Sequence, residues 1–179
     1  MNSTSRRLIP RLLMLATCVG AGSGLADCGR KPSPPVITAK VIDDIKADEV
    51  DWNADYRSGD PAKVVAHFAP HAIVMAPNLA PVEGTPAIRA LFDQAYQDPH
   101  FLFSFTSDKV DVAASGDIAA ARGVWTETRT DPKSGQPVKI GGAYVTVYKP
   151  QPGGRWMAVW DIATPTPPPQ TPKVPSPTP

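Results

Sequence analysis

Two acidic residues of this chain lie on predicted faces that otherwise carry large apolar side chains. Asp48 follows Ile45 by three residues and precedes Trp52 by four, which places it on the apolar stripe of a predicted helix. Glu127 is two residues from Trp125 in a predicted strand and shares its face. Because apolar surroundings raise a carboxyl pKa towards neutrality, both are candidate catalytic acid–base residues. The alternative is that both face water at the rim of their elements.

Other aspartates have structural interpretations. Asp60 stands directly before a proline and is typical of a helix N-cap, and Asp117 lies in a predicted hairpin turn. Asp161 alternates with Trp160 and Ile162, which we expect to face the core. The alternation therefore predicts Asp161 on the opposite face of the sheet, where a dimer contact could form.

The three histidines do not indicate a metal site. His67 and His71 have the spacing of a helical zinc pair, but Pro70 lies between them and ends the predicted helix. No third ligand is evident, His100 being far along the chain. We predict no metal ion and no cofactor, and a polar histidine at the edge of a pocket. A nucleophilic mechanism has no support, because the folded region has no cysteine and no serine in a GxSxG turn.

Hydrophobic periodicity predicts the elements that position these residues. A period near 3.6 indicates one helix over 37–58, a second from Pro61 to Pro70, and a third from Thr85 to about Gln97. Alternation and turn residues then indicate strands over 72–76, 101–112, 118–130, 138–149 and 155–163. Helices gathered before a run of hairpin strands define an α+β domain.

Aromatic residues are the strongest signal of a ligand pocket. By periodicity nine large side chains point to one interior, and some of them should line a cavity rather than fill a core. This predicted ligand pocket comprises Trp52, Tyr56, Met75, Phe92, Phe101, Phe103, Phe105, Trp125 and Tyr144.

Several segments together resemble a known family. WNADYRSGD, FAPHAIVMAP, EGTPAIRALF, ASGDIAAARGVW, GGAYVTVYK and GGRWMAVWDIA are similar, in order and spacing, to a SnoaL-like domain of the nuclear transport factor 2-like superfamily, and more narrowly to its SgcJ/EcaC-type branch. The resemblance implies a cone-shaped fold with three N-terminal helices packed on a strongly curved antiparallel sheet around a deep pocket. Relatives include ketosteroid isomerase, polyketide cyclases, dehydratases and non-catalytic domains, many of which dimerise through the sheet.

Charge argues against nucleic-acid binding. The net charge of the whole chain is +1. Residues 36–163 hold twelve Lys and Arg against sixteen Asp and Glu, which leaves about −4 and no basic stripe.

The two ends of the chain are predicted to lie outside the domain. Residues 1–27 have the arginines and short apolar run of a bacterial export signal, with SRRLIPR similar to a twin-arginine motif. Two processing routes remain open, cleavage after Ala26 or lipid attachment at Cys28, which would anchor the protein to a membrane. Residues 28–36 are then a flexible tether, 37–163 the domain and 164–179 a proline-rich tail.

These observations predict an exported, periplasmic SnoaL-like protein that binds a small apolar molecule in its pocket and forms a homodimer. The alternative is a small cofactor-independent enzyme of isomerase, cyclase or dehydratase type.

Overall fold

A computed structural model describes residues 35–166 of the chain. The predicted signal peptide, Cys28, most of the tether and nearly all of the proline-rich tail lie outside these residues. Among the helices of the described part, none is both long enough and apolar enough to cross a membrane.

Two of the three helices are substantial. Helix α1 spans Pro35–Ser58, α2 is only Pro61–Val65, and α3 spans Thr85–Ala95. Helix α1 ends where Gly59 takes a φ of 70°, a left-handed conformation that glycine adopts without steric cost. Asp60 caps α2 as predicted, its Oδ1 accepting the N–H of Ala62 at 2.9 Å. The prediction of three packed helices is therefore wrong for the second, which is about one turn long.

Six strands form one sheet in the order β2-β1-β6-β5-β4-β3. Their bounds are Phe68–Met75 for β1, Val82–Glu83 for β2, Leu102–Val112 for β3, Ala119–Thr130 for β4, Pro137–Pro150 for β5 and Trp156–Pro165 for β6. All neighbours are antiparallel except β1 and β6, which run parallel. The α+β class is confirmed, but the predicted strongly curved antiparallel sheet is wrong: the sheet is mixed and not strongly curled.

The first strand begins four residues earlier than predicted. Ala158 donates its backbone N–H to the carbonyl of His67, which draws the chain into the sheet directly after α2. Phe68, expected on a helix, is therefore a buried strand residue. Pro70 does not end a helix but lies in the irregular stretch of β1 between the paired residues Phe68 and Ile73. Proline is tolerated there because no ladder N–H is required.

A bulge in β6 sets which of its side chains face inward. Tyr148 of β5 pairs with Ala158, whereas Val147 pairs with Trp160, so Val159 is an extra residue in β6. Successive strand side chains alternate between faces, and one extra residue reverses the alternation beyond it. Ala158 before the bulge is fully buried, while Trp160 after it is 41% exposed.

The hydrophobic core lies between the helices and one face of the sheet. Its largest fully buried side chains are Trp52, Tyr148, Phe68, Ile45, Ile88, Val64 and Thr146. The opposite face, termed the outer face below, presents Val124 of β4, Val145 of β5 and Trp160 of β6, all exposed. A pocket opens into the core, and the residues around it are described next.

Candidate functional site

The pocket consists of two chambers that share a wall. The outer chamber encloses about 130 Å³. It is lined mainly by apolar residues: Tyr56, Val74, Met75, Ala76, Pro77, Leu79, Leu91, Phe92, Ala95, Phe101, Phe103, Trp125, Glu127, Asp161 and Ala163. The inner chamber encloses about 20 Å³. Its lining consists of Trp52, Tyr56, Phe103, Phe105, Trp125, Tyr144, Thr146, Asp161 and Ala163.

All nine side chains predicted to point to the interior line one of the two chambers. Phe103 stacks on Trp125 with ring centroids 6.0 Å apart, and Phe105 meets Tyr144 edge-on at 5.4 Å. Trp125 is fixed further by its indole N–H, which donates to the carbonyl of Ala143 at 3.1 Å. The aromatic walls are thus held by ring contacts and by the backbone of the sheet.

Asp161 is the carboxyl group shared by both chambers. Thr146 donates its hydroxyl to Oδ1 of Asp161 at 2.7 Å. Among the described residues, no donor reaches the second oxygen, Oδ2. Burial raises the pKa of Asp161 to about 6, only partly opposed by the bond from Thr146, and the nearby carboxyl of Glu49 adds to the increase. A carboxyl with this pKa is both a proton acceptor and a proton donor near neutral pH.

The prediction that Asp161 faces away from the interior is wrong, and the bulge at Val159 is the reason. Thr146 and Asp161 are paired across β5 and β6 and both point inward, whereas Trp160 points to the outer face. Strict alternation along β6, counted from the buried Trp156, would instead point Trp160 inward and Asp161 to the outer face. The bulge depends on pairing with distant strands, so no local pattern in the sequence indicates it.

Glu127 contributes the second carboxyl of the outer chamber. Burial raises its pKa, although the guanidinium of Arg129, with Nη1 3.5 Å from Oε1 of Glu127, acts in the opposite direction. Glu127 also lines the shallow, solvent-open depression beyond the outer chamber, together with Leu79, Asp98 and Arg129. It therefore lies at the pocket mouth.

Asp48 belongs to neither chamber. Its Oδ2 lies 2.9 Å from Nδ1 of His67, and its Oδ1 accepts from Arg155 at 3.0 Å. Burial alone would raise the pKa of Asp48, but the bonds to His67 and Arg155 outweigh it and hold the pKa below its usual value. A carboxylate bound on both oxygens away from the pocket is arranged to join α1 to the sheet.

His67 is a buried residue of this network, not the pocket-edge histidine that the sequence predicted. It is 3% exposed, and its Nε2 lies 3.0 Å from Oδ2 of Asp55. Trp52 stacks on the imidazole at 5.1 Å. Burial lowers the pKa of His67, but the bonds to Asp48 and Asp55 outweigh it, and the net pKa is raised. The imidazolium form satisfies both carboxylates at once.

The carboxyl on the apolar stripe of α1 is Glu49, which sequence reasoning missed. Glu49 is 4% exposed and follows Ile45 by four residues. It accepts from Ser107 at 2.6 Å and from Tyr148 at 3.1 Å, with Tyr144 more distant at 3.5 Å. Burial raises its pKa, partly offset by these hydroxyl groups. Spacings of four, three and four from Ile45 to Tyr56 fit Glu49 on the stripe better than Asp48.

The described residues provide no evident metal centre. Among residues 35–166, no group of three or more His, Cys, Asp and Glu side chains is arranged to hold a metal ion. The carboxyl groups that line the outer chamber are those of Glu127 and Asp161, in largely aromatic surroundings.

Solved structures with the same architecture place this chain in a fold class. A ketosteroid isomerase-like protein from Erwinia carotovora atroseptica is 16% identical over 71% of this chain and 97% of its own, with a TM-score of 0.62. A nuclear transport factor 2-like superfamily protein from Salmonella enterica is 15% identical over 78% and 97%, with a TM-score of 0.57. A similar protein with a cystatin-like fold from Novosphingobium aromaticivorans is 24% identical over 70% and 84%, with a TM-score of 0.52. At these identities the likeness shows the fold alone, which is nuclear transport factor 2-like.

A comparison of sequences defines a narrower group than this fold class. The model of the SnoaL-like domain family matches residues 50–159, which include most of the sheet and of the pocket lining but end before Asp161 and Ala163. The chain belongs to this family, as its sequence segments predicted. None of the curated proteins compared with the chain matches it.

Proposed function

We propose that this SnoaL-like protein binds a small, mainly apolar molecule in its two-chamber pocket, with the polar end of the molecule against Asp161. The observation that carries the proposal is the position of Asp161, a carboxyl with one unbonded oxygen where the apolar outer chamber meets the smaller inner one. Small-molecule sites commonly combine mostly apolar walls with a few placed polar groups. A core built only for stability would gain from an apolar residue here, since an ionised buried carboxyl is costly.

Blocking the outer chamber tests the binding function. Ala95 lines this chamber at the end of α3, whereas Ala90 of the same helix is exposed. We expect Ala95→Leu to abolish binding of small aromatic fragments, detected by ligand-observed NMR, because the added carbon atoms occupy the chamber. Ala90→Leu should bind as the wild type does. Equal binding by both variants, or no binding by the wild type, would contradict the proposal.

A second candidate function is proton-transfer catalysis of isomerase, cyclase or dehydratase type. Asp161 and Glu127 line the same chamber, and burial raises the pKa of each from its usual value towards the range in which a carboxyl group can exchange protons. Glu127 retains its predicted catalytic role in this candidate, whereas Asp48 lines neither chamber. Deuterium exchange next to the carbonyl of a bound ketone, lost in Asp161→Asn, would establish catalysis. Binding without exchange would leave the first function alone.

We also propose that the protein forms a homodimer through the outer face of its sheet. Val124, Val145 and Trp160 expose 61%, 39% and 41% of their surface on three adjacent strands. Exposed large apolar side chains on neighbouring strands are typical of an interaction surface, and Arg122, paired with Val145 across β4 and β5, adds a charge to this face. The test of this proposal is given in the Discussion.

Export, a possible lipid anchor at Cys28 and membership of the SgcJ/EcaC-type branch remain proposals that the sequence alone supports. The arginines before an apolar run support export, and the LADC segment supports lipidation of Cys28. The mass of the mature protein distinguishes the two processing routes, since a lipid adds mass that Cys28→Ser removes. An unprocessed chain of full mass would contradict both.

A further inference from the structure

Resting on the binding function proposed above, we infer that the pocket selects a molecule with a single ring that carries a one-atom hydrogen-bond donor, such as a hydroxyl or amino group. The size of the ring follows from the outer chamber, the size of the head group from the inner chamber, and the donor character from the hydrogen bonds around Asp161.

The outer chamber fits one ring. Its volume of about 130 Å³ is close to that of an apolar protein cavity of about 150 Å³ that holds benzene. Phe92, Phe101 and Phe103 supply aromatic faces and edges against which a ring can pack. A fused second ring would have to displace side chains of the wall or leave the chamber through its mouth.

The inner chamber fits one non-hydrogen atom. It encloses about 20 Å³, and a cavity needs roughly 10–15 Å³ to hold a water molecule. Asp161 lines both chambers, so an atom attached to a ring in the outer chamber meets the carboxyl as it enters the inner one. A branched head group such as a carboxylate or an amide is too large for this space.

Most protons around the inner chamber are committed to acceptors within the protein. Among the described residues that line the chamber, the exception is the hydroxyl of Tyr56, which lines both chambers and donates to none of these acceptors, so that a ligand hydroxyl could accept from it while donating to Asp161. The hydroxyl of Thr146 donates to Asp161, and the hydroxyl of Tyr144 is directed at Glu49. The indole N–H of Trp125 donates to the backbone. The indole N–H of Trp52 has no acceptor among the described residues, but its nitrogen is buried and out of contact with the chamber. The free acceptor is Oδ2 of Asp161, which requires a donor on the ligand.

Other titratable groups surround Asp161 and share its electrostatic environment. Glu49 and Tyr56 face it from α1, and Tyr144 and Tyr148 from β5. Glu127 lines the same outer chamber from β4. Because the pKa of Glu49 is also raised, a pH dependence must be assigned to Asp161 by substitution.

Four probes test the inference directly: phenol, benzene, cyclohexanone and 2-naphthol. Affinities are measured at pH 7.5 from shifts of the Trp125 indole and Ala163 amide signals in ¹H–¹⁵N spectra. We expect phenol to bind about tenfold more tightly than benzene and cyclohexanone, the difference expected of a hydrogen bond to a charged acceptor. 2-Naphthol has the same head group on two rings and should bind more weakly than phenol.

Substitution and pH assign the donor contact to Asp161. Asp161→Asn should reduce phenol affinity about tenfold and leave benzene affinity unchanged, whereas Asp43→Asn on the exposed face of α1 should change neither. In the wild type, phenol affinity should fall about tenfold from pH 7.5 to pH 5, because Asp161 with a pKa of about 6 is then mostly protonated. The Asp161→Asn variant should lack this fall, which assigns the pH dependence to Asp161 rather than to Glu49.

The outcomes separate the two proposals. Cyclohexanone binding as tightly as phenol at pH 7.5, 2-naphthol binding at least as tightly as phenol, or phenol binding that is indifferent to pH would overturn the ligand class while leaving pocket binding intact. If none of the four probes binds the wild type, the binding function fails and the ligand class fails with it.

Discussion

The carboxyl group of Asp161 costs the folded state more when it is ionised than when it is neutral. Its pKa in the folded protein, about 6, lies above the ordinary value of 3.8 for an aspartate, so the folded state holds the proton more tightly than the unfolded chain does. The stability contributed by the neutral form is therefore present at low pH and is lost as the pH rises from about 4 to about 6. A pKa difference of about two units corresponds to roughly 3 kcal/mol.

Asp161→Asn should remove this cost. We expect the variant to unfold in urea at pH 8 with a free energy higher than that of the wild type by about 2 kcal/mol, and at pH 4 with nearly the same free energy, because a neutral amide replaces a group that is ionised only at the higher pH. The exposed Asp43→Asn variant is the matched control and should follow the wild type at both pH values. A variant that is no more stable than the wild type at pH 8 would show that the buried carboxyl carries no such penalty.

At the residue scale, the carboxyl group that periodicity placed on the apolar stripe of α1 is one position away from the carboxyl group that the structure buries there. Asp48 and Glu49 are neighbours, and both are compatible with the apolar stripe of α1 within the width that a 3.6-residue period allows. The structure buries Glu49 under tyrosine hydroxyls and turns Asp48 to His67 and Arg155. Periodicity locates the buried face of a helix to within about one residue. Which of two neighbouring residues is buried depends on hydrogen-bond partners from segments distant in the sequence.

At the scale of elements, Asn53 joins the long helix to the edge of the sheet. Its side-chain amide accepts the N–H of Phe105 at 3.0 Å and donates to the carbonyl of the same residue at 3.0 Å. It donates also to the carbonyl of Glu49 in its own helix at 2.9 Å. Since β3 is an edge strand, Asn53 takes the place of a neighbouring strand at this residue.

Asn53→Ala should weaken this junction locally. Two partly buried backbone groups of Phe105 lose their partners, which should lower the free energy of unfolding by about 2 kcal/mol. Hydrogen exchange at the Phe105 amide should accelerate in the variant. Asp51→Ala, at an exposed position two residues earlier, should alter neither measurement. Unchanged exchange at Phe105 in Asn53→Ala would mean that water replaces the side chain without cost.

The elements predicted well are those specified by local signals. The period of α1, the proline that opens α3 and the turn residues between β4 and β5 lie within each segment, and the bounds derived from them agree closely with the structure. The parallel pairing of β1 with β6 joins residues about 90 positions apart, so no local pattern indicates it. Phe68 was assigned to a helix for the same reason, because a contact with Ala158 decides its conformation.

At the scale of the whole molecule, the two faces of the sheet have different roles. One face forms the wall of the pocket, and the other presents Val124, Val145 and Trp160 to solvent. The outer-face side chains of β4, β5 and β6 lie in adjacent rows, so two copies related by a two-fold axis can bury the same patch on each other. A stable interface needs about 800 Å² from each partner, which an apolar sheet face of several strands can provide.

Val145→Lys should prevent the proposed dimer from forming. Val145 lies on a central strand, and a lysine there would have to bury its charge at the interface without a partner. Sedimentation velocity should show a dimer for the wild type and a monomer for the variant. Val50→Lys is the control, because Val50 is 68% exposed on α1, away from the sheet. A wild type that remains monomeric at high concentration would exclude dimerisation through the outer face.

The extra residue in β6 determines how easily the pocket carboxyl group could be lost during evolution. Loss of the single codon for Val159 would leave every remaining amino acid unchanged, yet it would either turn Asp161 to the outer face or force Ala158 out of the core. Related proteins that differ by this codon would therefore differ in whether a carboxyl group faces the pocket, although their sequences would be nearly identical. When SnoaL-like chains are aligned, a one-position gap in the last strand indicates which of them retain an acid in the pocket, and residue-by-residue identity alone does not.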